Sequence, residues 1–155
     1  MSAVKVVLLA IDLATRQRNA ADKVLVQIRQ SCASAQDQMG QLESYAADTE
    51  SKWAVSAQRV VASEIVRHYY QFMGRLQHAI TLQRQTVADL EQEFWAARKV
   101  LLDAEIRIAS LNQLLKKKQS SLLKLQASLE QKQQDEFAAL QHRRLRAESD
   151  IRVAS

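Results

Sequence analysis

Apolar residues recur along this chain at alternating steps of four and three. From Val7 the steps land on Ile11, Ala14, Arg18, Ala21, Leu25, Ile28, Cys32, Ala35, Met39, Leu42, Ala46, Thr49 and Trp53. Only Arg18 and Thr49 are polar. From Tyr69 the same steps land on Met73, Leu76, Ile80, Gln83, Val87, Leu90, Phe94, Ala97, Leu101, Ala104, Ile108, Leu111, Leu115, Lys118, Leu122, Leu125 and Leu129. Gln83 and Lys118 alone interrupt that run. A period near 3.5 held for this long keeps one stripe of a supercoiled helix against a partner. The pattern predicts two long helices.

The phase is lost between about Ala54 and Ser63, where Ser56 and Ser63 are candidate caps. A short connection between long helices makes them antiparallel neighbours. The predicted limits are helix one over about 4–55, a turn over about 56–63, helix two over about 64–147, and a frayed C-terminal tail. All of it belongs to a single coiled-coil domain over 1–155. Facing residue numbers then sum to about 122, which opposes Ile28 to Phe94, Leu25 to Ala97, Ala21 to Leu101 and Ala14 to Ile108. Small meets large in several of these layers, which fills a narrow core. The expected fold is all-α, an antiparallel coiled-coil hairpin whose second helix is longer and overhangs the first. Leu122, Leu125 and Leu129 carry the stripe into the overhang, where this chain has nothing to cover them. Another protein, a second copy or local disorder are the alternatives.

Composition agrees. Proline is absent and glycine occurs only as Gly40 and Gly74, so the chain has little material for tight turns. Aromatic residues make up 5% of the chain, too few to fill a globular core of 155 residues. The net charge is +5, and Met1 to Ser56 contributes none of it, with six basic and six acidic residues. The excess lies later, notably at Lys116, Lys117, Lys118 and in a tail with Arg143, Arg144, Arg146 and Arg152. Such charge draws acidic surfaces or keeps a long helix soluble. Base-stacking aromatics are not interleaved with the arginines, so nucleic acid is not the expected partner. The opening VVLLAI, bracketed by Lys5 and Asp12, is far shorter than the roughly 20 residues that span a bilayer. It is read as the start of helix one.

Little in the chain suggests catalysis. Glu64 and His68 stand four apart, but no further ligand is in phase, and bundle metal sites need several helices to converge. Cys32 lies on the seam, where a thiol packs as a small hydrophobe. There is no glycine-rich phosphate loop, and a two-helix hairpin makes no enclosed pocket. No enzyme activity, metal, cofactor or small-molecule substrate is expected. Trp53 belongs to the seam beside the turn, and Trp95, just off it, is read as a flanking core residue.

One stretch, YYQFMGRLQHAITLQRQTV (Tyr69 to Val87), has a second apolar row. Phe72, Leu76 and Ala79 run beside the seam and share only Leu76 with it. The row is either a wider core near the turn or a surface that a partner covers.

SCASAQDQMGQLESY (Ser31 to Tyr45), YYQFMGRLQHAITLQRQ and DEFA (Asp135 to Ala138) together resemble the FliJ family of the bacterial flagellar export apparatus. The likeness covers most of the chain. It implies an antiparallel coiled coil similar to the central stalk of rotary ATPases. The implied partners are the hexameric flagellar export ATPase, the cytoplasmic linker of the export-gate membrane protein, and export chaperones. The implied location is cytoplasmic, peripheral at the inner face of the inner membrane at the flagellar base. Gate contact falls on Phe72, Leu76, Ala79 and position 83, where enteric relatives have histidine and this chain has Gln83. Contact with the ATPase ring or another partner is expected at Leu122, Leu125, Leu129, Lys116, Lys117, Lys118 and Arg143. A stalk of the virulence injectisome and a purely structural, self-associating coiled coil are the alternatives.

Overall fold

The computed structural model describes residues 2–56 and 62–154. It is all-α, with two long helices in contact. Helix α1 is Ala3–Ser56, of 54 residues, and helix α2 is Ser63–Ala154, of 92 residues. Among the described residues there is no strand. Helix α2 continues to Ala154, past the limit near residue 147 drawn from the sequence. The predicted turn falls largely on residues 57–61, which lie outside the described residues.

Both helices start on an identifiable bond. The Ser2 hydroxyl accepts from the Lys5 amide at 3.3 Å, closing the first turn of α1. The Ala62 carbonyl accepts from the Ile65 and Val66 amides at 3.1 and 3.3 Å, opening α2. Gly40 and Gly74 sit inside helices with no positive φ, so neither makes a turn. Reversal of direction depends on neither of them.

The chain forms two compact units, residues 15–106 and residues 1–14 with 107–155. In the first, contacts between helices set an antiparallel register. The Cys32 thiol lies 3.4 Å from the Leu90 carbonyl oxygen, and the Gln83 amide donates to the Ala35 carbonyl at 2.9 Å. Trp53 stacks on Tyr69 with centroids 4.1 Å apart, and the Arg29 guanidinium lies 5.8 Å from the Phe94 centroid. Three of these pairs have residue numbers that sum to 122 or 123, the value that the seam implies, and the Gln83–Ala35 pair sums to 118.

The core follows the stripe. Ala46, Met73, Leu76 and Ile80 form one buried cluster, with Met39, Leu42 and Tyr69 packed against it. Alanine on α1 lets the axes approach while large residues of α2 fill the space between them. Further along, Ala97 is the buried alanine of α2, and the register sets it opposite the buried Leu25. Size therefore alternates between the arms. In the other unit Val7 and Ala14 are buried, and Ile11, Ile108, Leu111 and Leu115 are half-buried. From Lys116 to Ala154 every residue is exposed.

Packing of this kind makes single side chains costly. Ile80, 3% exposed, is expected to lose about 2–4 kcal/mol of stability as Ile80→Ala. Leu82→Ala, on the solvent side of the same turn, is expected within about 0.5 kcal/mol of the parent. Urea denaturation of both variants measures the contrast.

The Tyr69 phenol is raised above its ordinary 10.0, first by desolvation and then by Glu50 and Tyr70. Its neutral form is thus favoured in the fold, and that stabilisation is complete below the unfolded value. It is lost as pH rises through the folded value. The urea midpoint is expected to fall above pH ~10, and to fall less in Tyr69→Phe.

Candidate functional site

Phe72, Leu76, Ala79 and Gln83, the residues expected at the gate contact, lie on one stretch of α2, but they do not have the same accessibility. Leu76 is 7% exposed and belongs to the core cluster. Phe72 is 39% exposed, and Ala79 is half-buried. Gln83 is half-buried and committed within the hairpin: its amide donates to the Ala35 carbonyl at 2.9 Å and to Gln38 Oε1 at 3.3 Å. A partner approaching this face meets Phe72 and the edge of Ala79. Leu76 supports them from beneath, and Gln83 ties α2 to α1 one turn further on.

Phe72 is held from the other helix. The Tyr45 ring meets it edge to face, with centroids 5.9 Å apart at 85°. Such geometry sets the electropositive edge of one ring against the face of the other, worth about 0.5–1.5 kcal/mol. Tyr45 is itself exposed, so the aromatic surface spans both helices. The sequence reading placed the row on α2 alone. What it missed was Tyr45 as a member of the surface, which follows once the register brings residue 45 beside residue 72.

Trp95 also departs from expectation. It is 62% exposed, with the Arg98 guanidinium 5.4 Å from its ring centroid, instead of flanking the core. One position beyond Phe94 is a rotation of about 100°, enough to carry the indole off the seam and into solvent. Glu64 and His68 are both exposed, and no group of three or more His, Cys, Asp or Glu suited to a metal occurs among the described residues. No described helix is long and apolar enough to cross a membrane.

The second expected surface is the bare part of α2. Leu122, Leu125 and Leu129 are exposed, as are Lys116, Lys117, Lys118 and Arg143. The charge is more local than a general basic tail. Residues 116–132 hold five lysines and one acidic residue, whereas residues 133–155 hold four arginines and four acidic residues. Arg143 therefore lies in a balanced segment, and the excess positive charge is carried by the lysines.

The comparisons with known proteins bear on both surfaces. The family model described as Flagellar FliJ protein matches residues 9–147. The chain belongs to the flagellar FliJ family. It is also similar to the Flagellar FliJ protein of Escherichia coli (strain K12), 26% identical over 127 residues, which is 82% of this chain and 86% of that protein. No solved structure matches the chain. FliJ membership makes the protein a component of flagellar export. The matched span takes in the Phe72 row and the bare leucines alike.

In this FliJ-family chain Gln83 is a clamp between helices. Gln83→Ala removes the bond to the Ala35 carbonyl, which keeps its helical bond, and is expected to cost about 0.5–1.5 kcal/mol in urea denaturation.

Proposed function

We propose that the protein acts in flagellar export as a stalk. It stands in the ring of the hexameric export ATPase, touches the cytoplasmic linker of the export-gate membrane protein, and receives export chaperones that have released their cargo. It does this in the cytoplasm, at the inner face of the inner membrane, without a catalytic step of its own. The observation that carries the reading is the division of α2 into a paired stretch and a bare one. A helix that spends its stripe on α1 up to Leu115 and then leaves Leu122, Leu125 and Leu129 exposed has apolar surface to give to another protein.

The physics of coupling follows from symmetry. One asymmetric rod cannot make the same contacts with six identical subunits. Its contacts stabilise different states in different subunits, and differential binding of that kind couples their conformations. Lys116, Lys117 and Lys118 lie just before the bare leucines and steer the rod toward acidic surfaces. The gate contact is assigned to the aromatic surface of Phe72, steadied by Tyr45 and backed by Leu76 and Ala79. A half-exposed phenylalanine held by a neighbouring ring suits this use, because little side-chain freedom remains to be lost on binding.

The test separates the two contacts. In pull-downs against the cytoplasmic domain of the gate protein, Phe72→Ala is expected to reduce recovery by about tenfold or more, as truncation of a buried aromatic anchor does. The same variant should still increase hexamerisation and turnover of the export ATPase. Equal recovery of Phe72→Ala and the parent removes the gate assignment. An ATPase whose assembly and turnover ignore the added protein removes the stalk.

A further inference from the structure

The two flanks of the hairpin differ in chemistry within residues 15–106. One flank is made by the residues just after alternate seam positions. On α1 it carries Asp22, Arg29, Glu43 and Glu50. On α2 it carries Arg84, Glu91, Arg98 and Glu105. Gln36 donates to Glu91 at 3.5 Å and Arg84 lies 3.7 Å from Glu43, so the two sets share a side. Charge of this kind suits a two-stranded coiled coil with water beside its seam.

The other flank is made by the residues just before the remaining seam positions. On α1 these are Gln17, Val24, Ser31, Gln38, Tyr45 and Lys52. On α2 they are Ile65, Phe72, Ala79, Thr86, Glu93 and Val100. The Tyr45–Phe72 ring contact and the Gln83 bond to Gln38 place both sets on one side. Lys52 and Glu93 are the charged members. Half of the positions are apolar, and Val24, Tyr45, Ile65, Phe72 and Val100 are exposed. A helix whose apolar stripe widens from the seam onto one flank has the pattern of a bundle, not of a two-stranded pair. The hairpin is thus finished on one flank and open to a third helix on the other.

We infer that this uncharged flank is covered by a helix, formed by the cytoplasmic linker of the export-gate protein. The inference rests on the gate reading given above and extends that contact from Phe72 toward Val24 and Val100. Continuity favours this occupant, because Phe72 and Tyr45 are themselves members of the flank and a partner seated on them already lies on it. The repeat favours a helix, since a spacing of seven held on both arms is a path that a supercoiled helix follows. An extended segment would repeat every two residues. With no strand among the described residues to pair with, it would also leave its backbone groups unbonded over apolar side chains.

Charge sets the chemistry of that helix. On α1 the next row outward is Ala20, Gln27, Ser34 and Gln41, so this side has no charge from Gln17 to Tyr45. On α2 the flank and its outer row carry Arg75 beside the Phe72 end, then Asp89, Glu93 and Asp103. Among the described residues none of these three carboxylates is paired with a basic group. The linker helix is therefore assigned an uncharged face toward α1 and basic residues along the edge beside Asp89, Glu93 and Asp103.

Pull-downs of the full chain against the cytoplasmic domain of the gate protein, linker included, test the path. Val24 lies about 32 Å along α1 from Tyr45, and Val100 about 42 Å along α2 from Phe72. Val24→Arg and Val100→Arg, both at exposed positions, are each expected to cut recovery about tenfold with helical content unchanged. Glu93→Lys should cut it about threefold, and Gln77→Arg, on the charged flank, should leave it within about twofold of the parent. A linker peptide mixed with the chain should gain helix by circular dichroism. Recovery lost in Phe72→Ala but kept in Val24→Arg and Val100→Arg confines the contact to Phe72; it overturns this inference and leaves the gate reading standing. A linker peptide that binds without gaining helix overturns it too. Equal recovery of Phe72→Ala and the parent removes the gate reading and the third helix with it. Self-association of the chain that sedimentation shows to be lost in Val24→Arg gives the flank to a second copy and overturns the assignment.

Discussion

Close approach of two helices through an alanine-lined seam is the constraint on which the rest of the structure depends. Four of the six buried core residues of α1 are alanines, at positions 14, 21, 35 and 46. An alanine costs no side-chain entropy and favours the helix, so the arm that carries them is rigid and thin. The opposite arm supplies bulk, through Met73, Leu76 and Ile80. A hairpin of this kind has a core one residue wide, with no second layer to absorb a change. Each seam position is therefore either filled by its counterpart or open to water, and the flanks keep few bonds. Arg84 and Glu43, 3.7 Å apart and both largely exposed, stabilise little in such a setting.

A core so narrow leaves function to the outside. The sites proposed for this FliJ-family protein lie on its surfaces. The two surfaces differ in kind. Around Phe72 a side chain of the hairpin's flank is braced by Tyr45 from the other helix, and by Leu76 from below, so this surface exists only because the hairpin has closed. Beyond Leu115 the surface belongs to one helix. Strong helix formers sustain it, with local bonds such as Gln131 to Asp135 at 3.2 Å, and its leucines are exposed. The first surface is preorganised and small. The second is long, apolar and flanked by lysines.

The change of period along α2 is the physical mark of that division. While α2 lies against α1 its apolar residues keep the supercoil spacing, from Tyr69 to Leu115. After Leu129 the spacing relaxes toward that of a straight helix, and Phe137, Leu140 and Ile151 become legible only in that frame. A single rule applied from end to end reads the tail as the end of the stripe.

Much of this protein was determined by sequence alone. A stripe of 3.5-residue period whose phase is lost once, in a chain with two glycines and no proline, admits little besides two paired helices. Its layers fix the register to within one heptad, because a slip of one residue would bury arginine and expose leucine. The resemblance of Ser31–Tyr45 and Tyr69–Gln85 to the FliJ family could likewise be read directly. Tertiary structure alone decided which side chains remained available. Gln83 looked like part of a docking row until its amide was found bonded to Ala35. Trp95 looked like core until its rotation off the seam left it in water, and Tyr45 gained its place only when α1 came alongside Phe72. Periodicity reports the face on which a residue lies. Accessibility depends on what the other helix sets against that face, and this requires both arms to be in place.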